Sequence, residues 1–172
     1  MARGAAKTQK SQSRFDPPDL NLLPDFSREE VAEIREAFDI FDKNGKGLVD
    51  LNAMLDYMEG LKFHNKYITI FTLIDKLAAQ FPNGITFKEF MEHIQFMLGD
   101  TKTGPGLTRF FELLDVEDKK VLDKPRLREL SREIGENISE EDLDELIEYY
   151  FECPNGKVDV DKFYRMMIKD VF

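Results

Sequence analysis

The 172-residue sequence predicts an all-α protein, built from four helix–loop–helix units in two lobes joined by a flexible linker. Three observations predict it. First, one apolar template recurs: two apolar residues, a gap of two, and a third apolar residue lead into a polar loop at Ala37-Phe38/Phe41, Leu73-Ile74/Leu77, Phe110-Phe111/Leu114 and Leu146-Ile147/Tyr150. The loops therefore begin at Asp42, Ala78, Asp115 and Phe151, spaced 36, 37 and 36 residues apart. Second, the eighth loop positions are Val49, Ile85, Leu122 and Val158, and the thirteenth are Met54, Phe90, Leu127 and Phe163. An apolar residue at each corresponding place of four units is the signature of an internal repeat. Third, the run GDTKTGPG at 99–106 interrupts helical periodicity with three glycines and a proline, so the second pair of units is joined to the first by a flexible connector.

The leader, residues 1–14, carries Arg3, Lys7, Lys10 and Arg14, with no acidic residue, against a net charge of −10 for the whole chain. Such an asymmetry suits a basic arm reaching an acidic surface such as the acidic tails of tubulin, a nucleic acid or an anionic membrane; it equally suits a solvated tail. Nucleic acid is not the expected partner of a chain this acidic. The following FDPPDLNLLPDF holds three prolines that prevent a long helix, yet Phe15, Leu20, Leu22, Leu23 and Phe26 are too apolar for a free tether. Residues 1–26 thus form an extension ahead of a first lobe at 27–98, a linker at 99–106 and a second lobe at 107–172.

Helix starts fall where the template needs them. Ser27 with Glu30, and Ser139 with Asp142, resemble capping boxes. Pro125 sits where the third exiting helix begins, which suits its missing N–H. The eighth positions are expected to pair in short two-stranded ribbons between loops, with the flanking apolar residues forming the core of each lobe.

This outline is that of a helix–loop–helix calcium motif, whose loop supplies oxygens from positions 1, 3, 5, 7 and 9 and a bidentate Glu at 12, with Gly at 6. The loops have lost most of those ligands. Loop one offers Asp42, Asn44, Lys46, Leu48, Asp50 and Ala53, leaving Asp42, Asn44 and Asp50 as weak residual metal candidates. Loop two keeps only Glu89; loop three reads Asp115, Glu117, Lys119, Val121, Asp123 and Arg126, with Lys120 in place of the glycine. Loop four reads Phe151, Cys153, Asn155, Lys157, Asp159 and Lys162. A hard cation needs about six to eight oxygens, so no calcium or magnesium cofactor is expected. Lys46 falls between Asp42 and Asp50, and Lys119, Lys120 and Arg126 fall among Asp115, Glu117 and Asp123. Side-chain cations standing where an ion's charge would sit are one reading; cations on solvated turns, gaining little from surface pairs, are the other.

The helices REEVAEIREAFDIFDKNGKG at 28–47 and LRELSREIGENISEEDLDELI at 127–147 resemble those of centrin (caltractin), an EF-hand member of the calmodulin superfamily. The resemblance runs from about Phe26 to the end and implies a non-catalytic protein that grips an amphipathic helix of a larger protein. Its implied site is the groove of each lobe. In the second lobe, Phe110, Phe111, Leu130, Ile134, Leu143, Ile147, Phe163, Met166 and Met167 lie at helical spacing, and methionines adapt to several target shapes. Any one of them, taken alone, also reads as core. The family implies a cytoplasmic, cytoskeletal location at a centriole, basal body or axoneme. The emptied loops favour a structural light chain over the alternative, a calcium-responsive calmodulin-like or myosin-light-chain-like sensor working through loop one.

The remaining composition excludes other classes. Lone His64 and His93 have no Cys or His spaced for a metal, and no nucleophile motif or phosphate loop is present. One cysteine, Cys153, excludes an internal disulfide, and no stretch has the length and apolarity of a membrane span.

Overall fold

The computed structural model describes residues 26–98, 101 and 103–169. The basic leader and most of the proline-rich segment fall outside the described residues. Among the described residues, eight helices follow the predicted plan: α1 (Arg28–Asp39), α2 (Leu51–Gly60), α3 (Ile68–Gln80), α4 (Phe87–Leu98), α5 (Gly104–Leu114), α6 (Lys124–Glu133), α7 (Glu140–Glu145) and α8 (Val160–Lys169). A 3-10 turn, Phe63–Asn65, joins α2 to α3, and a π-helical turn, Leu146–Tyr150, extends α7.

The start signals act as expected. The Ser27 hydroxyl accepts the Glu30 N–H at 3.2 Å while the Glu30 carboxylate accepts the Ser27 N–H at 2.8 Å, a reciprocal capping box. Ser139 accepts the Asp142 N–H at 3.1 Å and caps α7, while the shorter Asp142 carboxylate accepts from the Ser139 hydroxyl at 2.6 Å, so this cap is one-sided where the first is reciprocal. Pro125 lies in the first turn of α6, behind the Asp123 cap.

Four two-residue strands form two antiparallel ribbons. In the first, β1 (Leu48–Val49) pairs with β2 (Ile85–Thr86), setting Val49 opposite Ile85; in the second, β3 (Leu122–Asp123) pairs with β4 (Lys157–Val158), setting Leu122 opposite Val158. The eighth loop positions therefore meet in pairs, and all four are fully buried. Complete burial of an aliphatic side chain is worth about 1.5–3 kcal/mol, so each ribbon is pinned by its apolar pair more than by its few hydrogen bonds. Gly84 leads into β2 at φ +97°, where a Cβ would lie 2.9 Å from the Val49 carbonyl oxygen, so only glycine lets the ribbon close there.

Two apolar clusters lie beneath the ribbons. The first gathers Phe38, Met54, Met58, Leu77, Phe87, Phe90 and Met91 of α1 to α4; the second gathers Leu107, Phe111, Leu143, Ile147 and Phe163 of α5, α7 and α8.

The connector differs from expectation. The expected linker ran to Gly106, but α5 begins at Gly104, with Thr103 as N-cap accepting the Gly106 N–H and Pro105 in the first turn. Residues that break a helix interior are favourable at its start, and the glycine–proline run is a helix entry instead of a tether. Nor do the lobes stand apart. Leu113 of α5 is buried in the first-lobe cluster, and Phe110 packs against both clusters. The Arg109 guanidinium of α5 donates to the Phe96 carbonyl at 2.9 Å and lies over the Phe96 ring.

Candidate functional site

Each of the four loops is closed by the protein's own groups. In loop one, the Asp42 carboxylate accepts the backbone N–H groups of Lys46 at 3.0 Å and Gly47 at 2.7 Å, while Gly45 and Gly47 adopt left-handed backbone. Asp50 is the N-cap of α2, accepting from Asn52 and Ala53. Lys46 follows the solvated-turn reading: among the described residues no ion pair joins its ammonium to Asp42 or Asp50, and its backbone N–H is what Asp42 holds. An exposed lysine gains little from such a pair, and solvation of its long side chain wins. Ala53, at the place of the bidentate glutamate, lines a cavity of about 300 Å³ together with Asn44, Asp50, Leu48, Phe41 and Tyr57.

Loop two has turned its surviving glutamate to a structural task. Glu89 accepts the Thr86 hydroxyl at 2.6 Å and the Thr86 N–H at 2.9 Å. The Thr86 hydroxyl, and then its N–H, hold the Glu89 carboxyl below the ordinary glutamate range. The pair fastens the ribbon to the start of α4.

Loop three comes nearest to the expectation of internal cations. Asp115, 6% exposed, accepts the N–H groups of Lys119 and Lys120 at 3.0 and 2.7 Å, the same arrangement as Asp42. The Lys119 ammonium pairs with Glu117 and lies 3.6 Å from Asp123, contacts that raise its pKa, with the Glu117 hydrogen bond foremost. Lys120 takes the glycine's left-handed backbone, at φ +62°, and turns its ammonium to Asp118. Arg126, expected among the loop carboxylates, instead donates from Nε to the Leu114 carbonyl at 2.8 Å and from Nη1 to Glu129 and Glu133. It is nearly inaccessible, and a buried guanidinium stays where its donors are matched.

Loop four has become part of the core. Phe151, at the first ligand position, and Cys153, at the third, are each 4% exposed and belong to the second cluster. Their backbone turns inward through N–H bonds from Phe151 to the Leu146 carbonyl and from Cys153 to the Ile147 carbonyl. The sequence marked both positions as unfit to bind an ion but gave no sign that the side chains reverse into the lobe. Burial raises the Cys153 thiol pKa, which makes it inert packing.

These donor sets do not fit a calcium ion. Loops one and three, the richest, each offer three side-chain oxygen groups and the carbonyl of Leu48 or Val121 where about six to eight oxygens are needed. Among the described residues no group of three or more His, Cys, Asp or Glu side chains converges on a point that could hold a metal.

The nine expected groove residues divide. Phe111, Leu143, Ile147 and Phe163 are buried in the second cluster; Phe110, Leu130, Met166 and Met167 are half-buried around it. Ile134 stands apart, 78% exposed, because α6 ends at Glu133 and Gly135 reverses the chain at φ +84°. Helical spacing placed Ile134 on the apolar face only for a helix that continued one turn further. Among the described residues the second cluster has nine buried and eleven half-buried apolar members, against sixteen and nine in the first, so it keeps the larger share of apolar surface at its rim.

No family model matches the chain. Individual relatives do. Caltractin ICL1e of Paramecium tetraurelia is 32% identical over 150 residues, covering 87% of this chain and 84% of its own. The chain belongs to the centrin (caltractin) family. Centrin-3 of Homo sapiens is 26% identical over 147 residues, covering 86% of this chain and 88% of its own, and caltractin of Naegleria gruberi is 28% identical over 144 residues, covering 82% and 81%. A solved chain from "Chaetomium theromophilum TREX2 CID domain complex" superposes with a TM-score of 0.46 at 23% identity, covering 89% of this chain and 96% of that one. In this centrin, then, the helices and ribbons of a calmodulin-like EF-hand protein are kept while the loops are rebuilt. Among the described residues no helix is long and apolar enough to cross a membrane.

Proposed function

We propose that this centrin-family chain is a non-catalytic, largely calcium-independent structural light chain. It holds an amphipathic helix of a larger cytoskeletal protein at a centriole, basal body or axoneme. One observation carries the reading: the loops are closed by Asp42, the Thr86–Glu89 pair, Asp115 and Phe151, while the apolar clusters beneath remain, with Phe110, Leu130, Met166 and Met167 half-buried at the rim of the second. In calcium sensors the ion drives lobe opening. A lobe whose loops are closed without an ion has no such switch, so its hold on a partner is constitutive and comes from burying the rim. Phe111, Leu143, Ile147 and Phe163 support that rim from within, and Ile134 lies outside it.

The test is a calorimetric titration of the chain with a synthetic basic amphipathic helix bearing apolar anchors at i, i+3, i+4 and i+7, run once in chelator and once in calcium. Equal affinity in both is the expected result. Absence of binding, or binding that requires calcium, overturns the reading.

A second reading, a sensor with residual binding at loop one, is favoured by the cavity between Asn44, Asp50 and Ala53, which leaves room beside three oxygen groups. It requires saturable calcium binding by the wild-type chain. The basic leader at 1–14 is proposed to reach the acidic tails of tubulin; salt-sensitive microtubule cosedimentation that disappears on deleting those residues is the result that supports it.

A further inference from the structure

Helix α3 begins without a cap of its own. Its N-cap residue, Tyr67, offers no side-chain hydrogen bond, and the first N–H groups of a helix need an acceptor. The acceptor comes from the other lobe. Glu133, at the end of α6, accepts the Thr69 N–H at 2.9 Å through Oε2 and the Thr69 hydroxyl at 3.1 Å through Oε1. A carboxylate at a helix N-terminus also meets the favourable end of the helix dipole.

Glu133 is held in that position by Arg126. The Nη1 of Arg126 lies 2.9 Å from Glu133 Oε1, and its Nη2 donates to the Thr69 hydroxyl at 2.5 Å, so one guanidinium spans both lobes. The side chains of Arg126 and Glu133 are 7% and 8% exposed. Nε is anchored on the Leu114 carbonyl, which fixes the plane of the fork. Beside this polar contact, Leu113 inserts into the first-lobe core. Arg126 occupies the twelfth loop position, where a calcium loop carries its bidentate glutamate.

We propose that the two lobes form one rigid body closed by this clasp, with Arg126 as the positioning residue that ties them. The position that would answer to an ion answers to the other lobe instead. The spacing of the lobes is then fixed in the free protein, and a partner touching both must either match that spacing or break the Arg126–Glu133–Thr69 contact. The inference stands whether or not the light-chain reading does, since it concerns the free chain.

Residual dipolar couplings of the full chain in a dilute alignment medium test it. The wild-type lobes are expected to fit one common alignment tensor, and Arg126→Ala is expected to abolish the common fit while each lobe keeps its own. Because loss of a buried arginine can unfold the second lobe, Thr69→Val provides the second arm: it removes the hydroxyl from the first-lobe side and leaves Arg126 paired with Glu133. It too is expected to yield separate tensors with both lobes folded. Two tensors in the wild type overturn the proposal. A common tensor that survives Thr69→Val also overturns it, because the lobes would then be held without the Arg126 bond to Thr69, by the residue-69 N–H on Glu133, by Arg109 on Phe96 and by Leu113 and Phe110.

Discussion

The rings of Phe151 and Phe163 lie nearly parallel, 14° between planes and 6.4 Å between centroids, where the first ligand position of loop four meets the core of the second lobe. The residue at the place that leads a calcium loop is here a packing residue, and its burial anchors the loop to the core. Truncating it tests this directly. Phe151→Ala should destabilise the second lobe by about 3–5 kcal/mol, the range for removing a buried aromatic, read as a lower urea midpoint with the first lobe's ribbon resonances unchanged. A loss below about 1 kcal/mol would mean that the ring is dispensable, as a surface side chain is.

Loop one is nearest to repair. Asp42, Asn44 and Asp50 keep their oxygens, and Ala53 faces a cavity with room for a longer side chain. Replacing Lys46 with Asp and Ala53 with Glu together should restore calcium binding to that loop, with a Kd of roughly 10⁻⁵ to 10⁻³ M by calorimetry. No heat of binding in the double variant would show that the loop's register has been misassigned.

The Thr86–Glu89 pair gives a pH dependence of known sign. Hydrogen bonds from Thr86 lower the Glu89 pKa in the folded chain, so the unfolded chain binds the proton more readily. The pair's contribution is fully present above the ordinary glutamate value of about 4.3 and is lost as pH falls through the lower folded value. Between pH 7 and pH 3 the wild type should therefore lose more stability than Glu89→Gln, as followed by thermal melts of the first lobe. Parallel losses in the two proteins would contradict this role for Glu89.

Much of this architecture is legible in the sequence because it rests on local pattern. The pairing of Val49 with Ile85 and of Leu122 with Val158 follows from a repeat that places one apolar residue at the eighth position of every loop. The caps at Ser27 and Ser139 follow from residues three apart. What is not legible is non-local. Nothing near Arg126 in the chain indicates that its partner is Thr69, 57 positions away, or that Leu113 belongs to the first lobe's core. The inward turn of Phe151 and Cys153 depends on the π-helical turn ahead of them, which periodicity at 3.6 residues does not detect. The exposure of Ile134 is equally non-obvious, because apolar spacing does not state where a helix stops, although Gly135 marks the spot.

The proposed function requires loops that stay closed without a divalent ion. A calcium titration of the wild-type chain followed by amide NMR tests this most directly, using the resonances of Gly45, Gly47 and Gly156 as reporters inside loops one and four. The expected result is no saturable shift at micromolar calcium in any of the three. Saturable movement of Gly45 and Gly47 together, with the first-lobe methionines Met54 and Met58 following, would contradict it and make this chain a sensor.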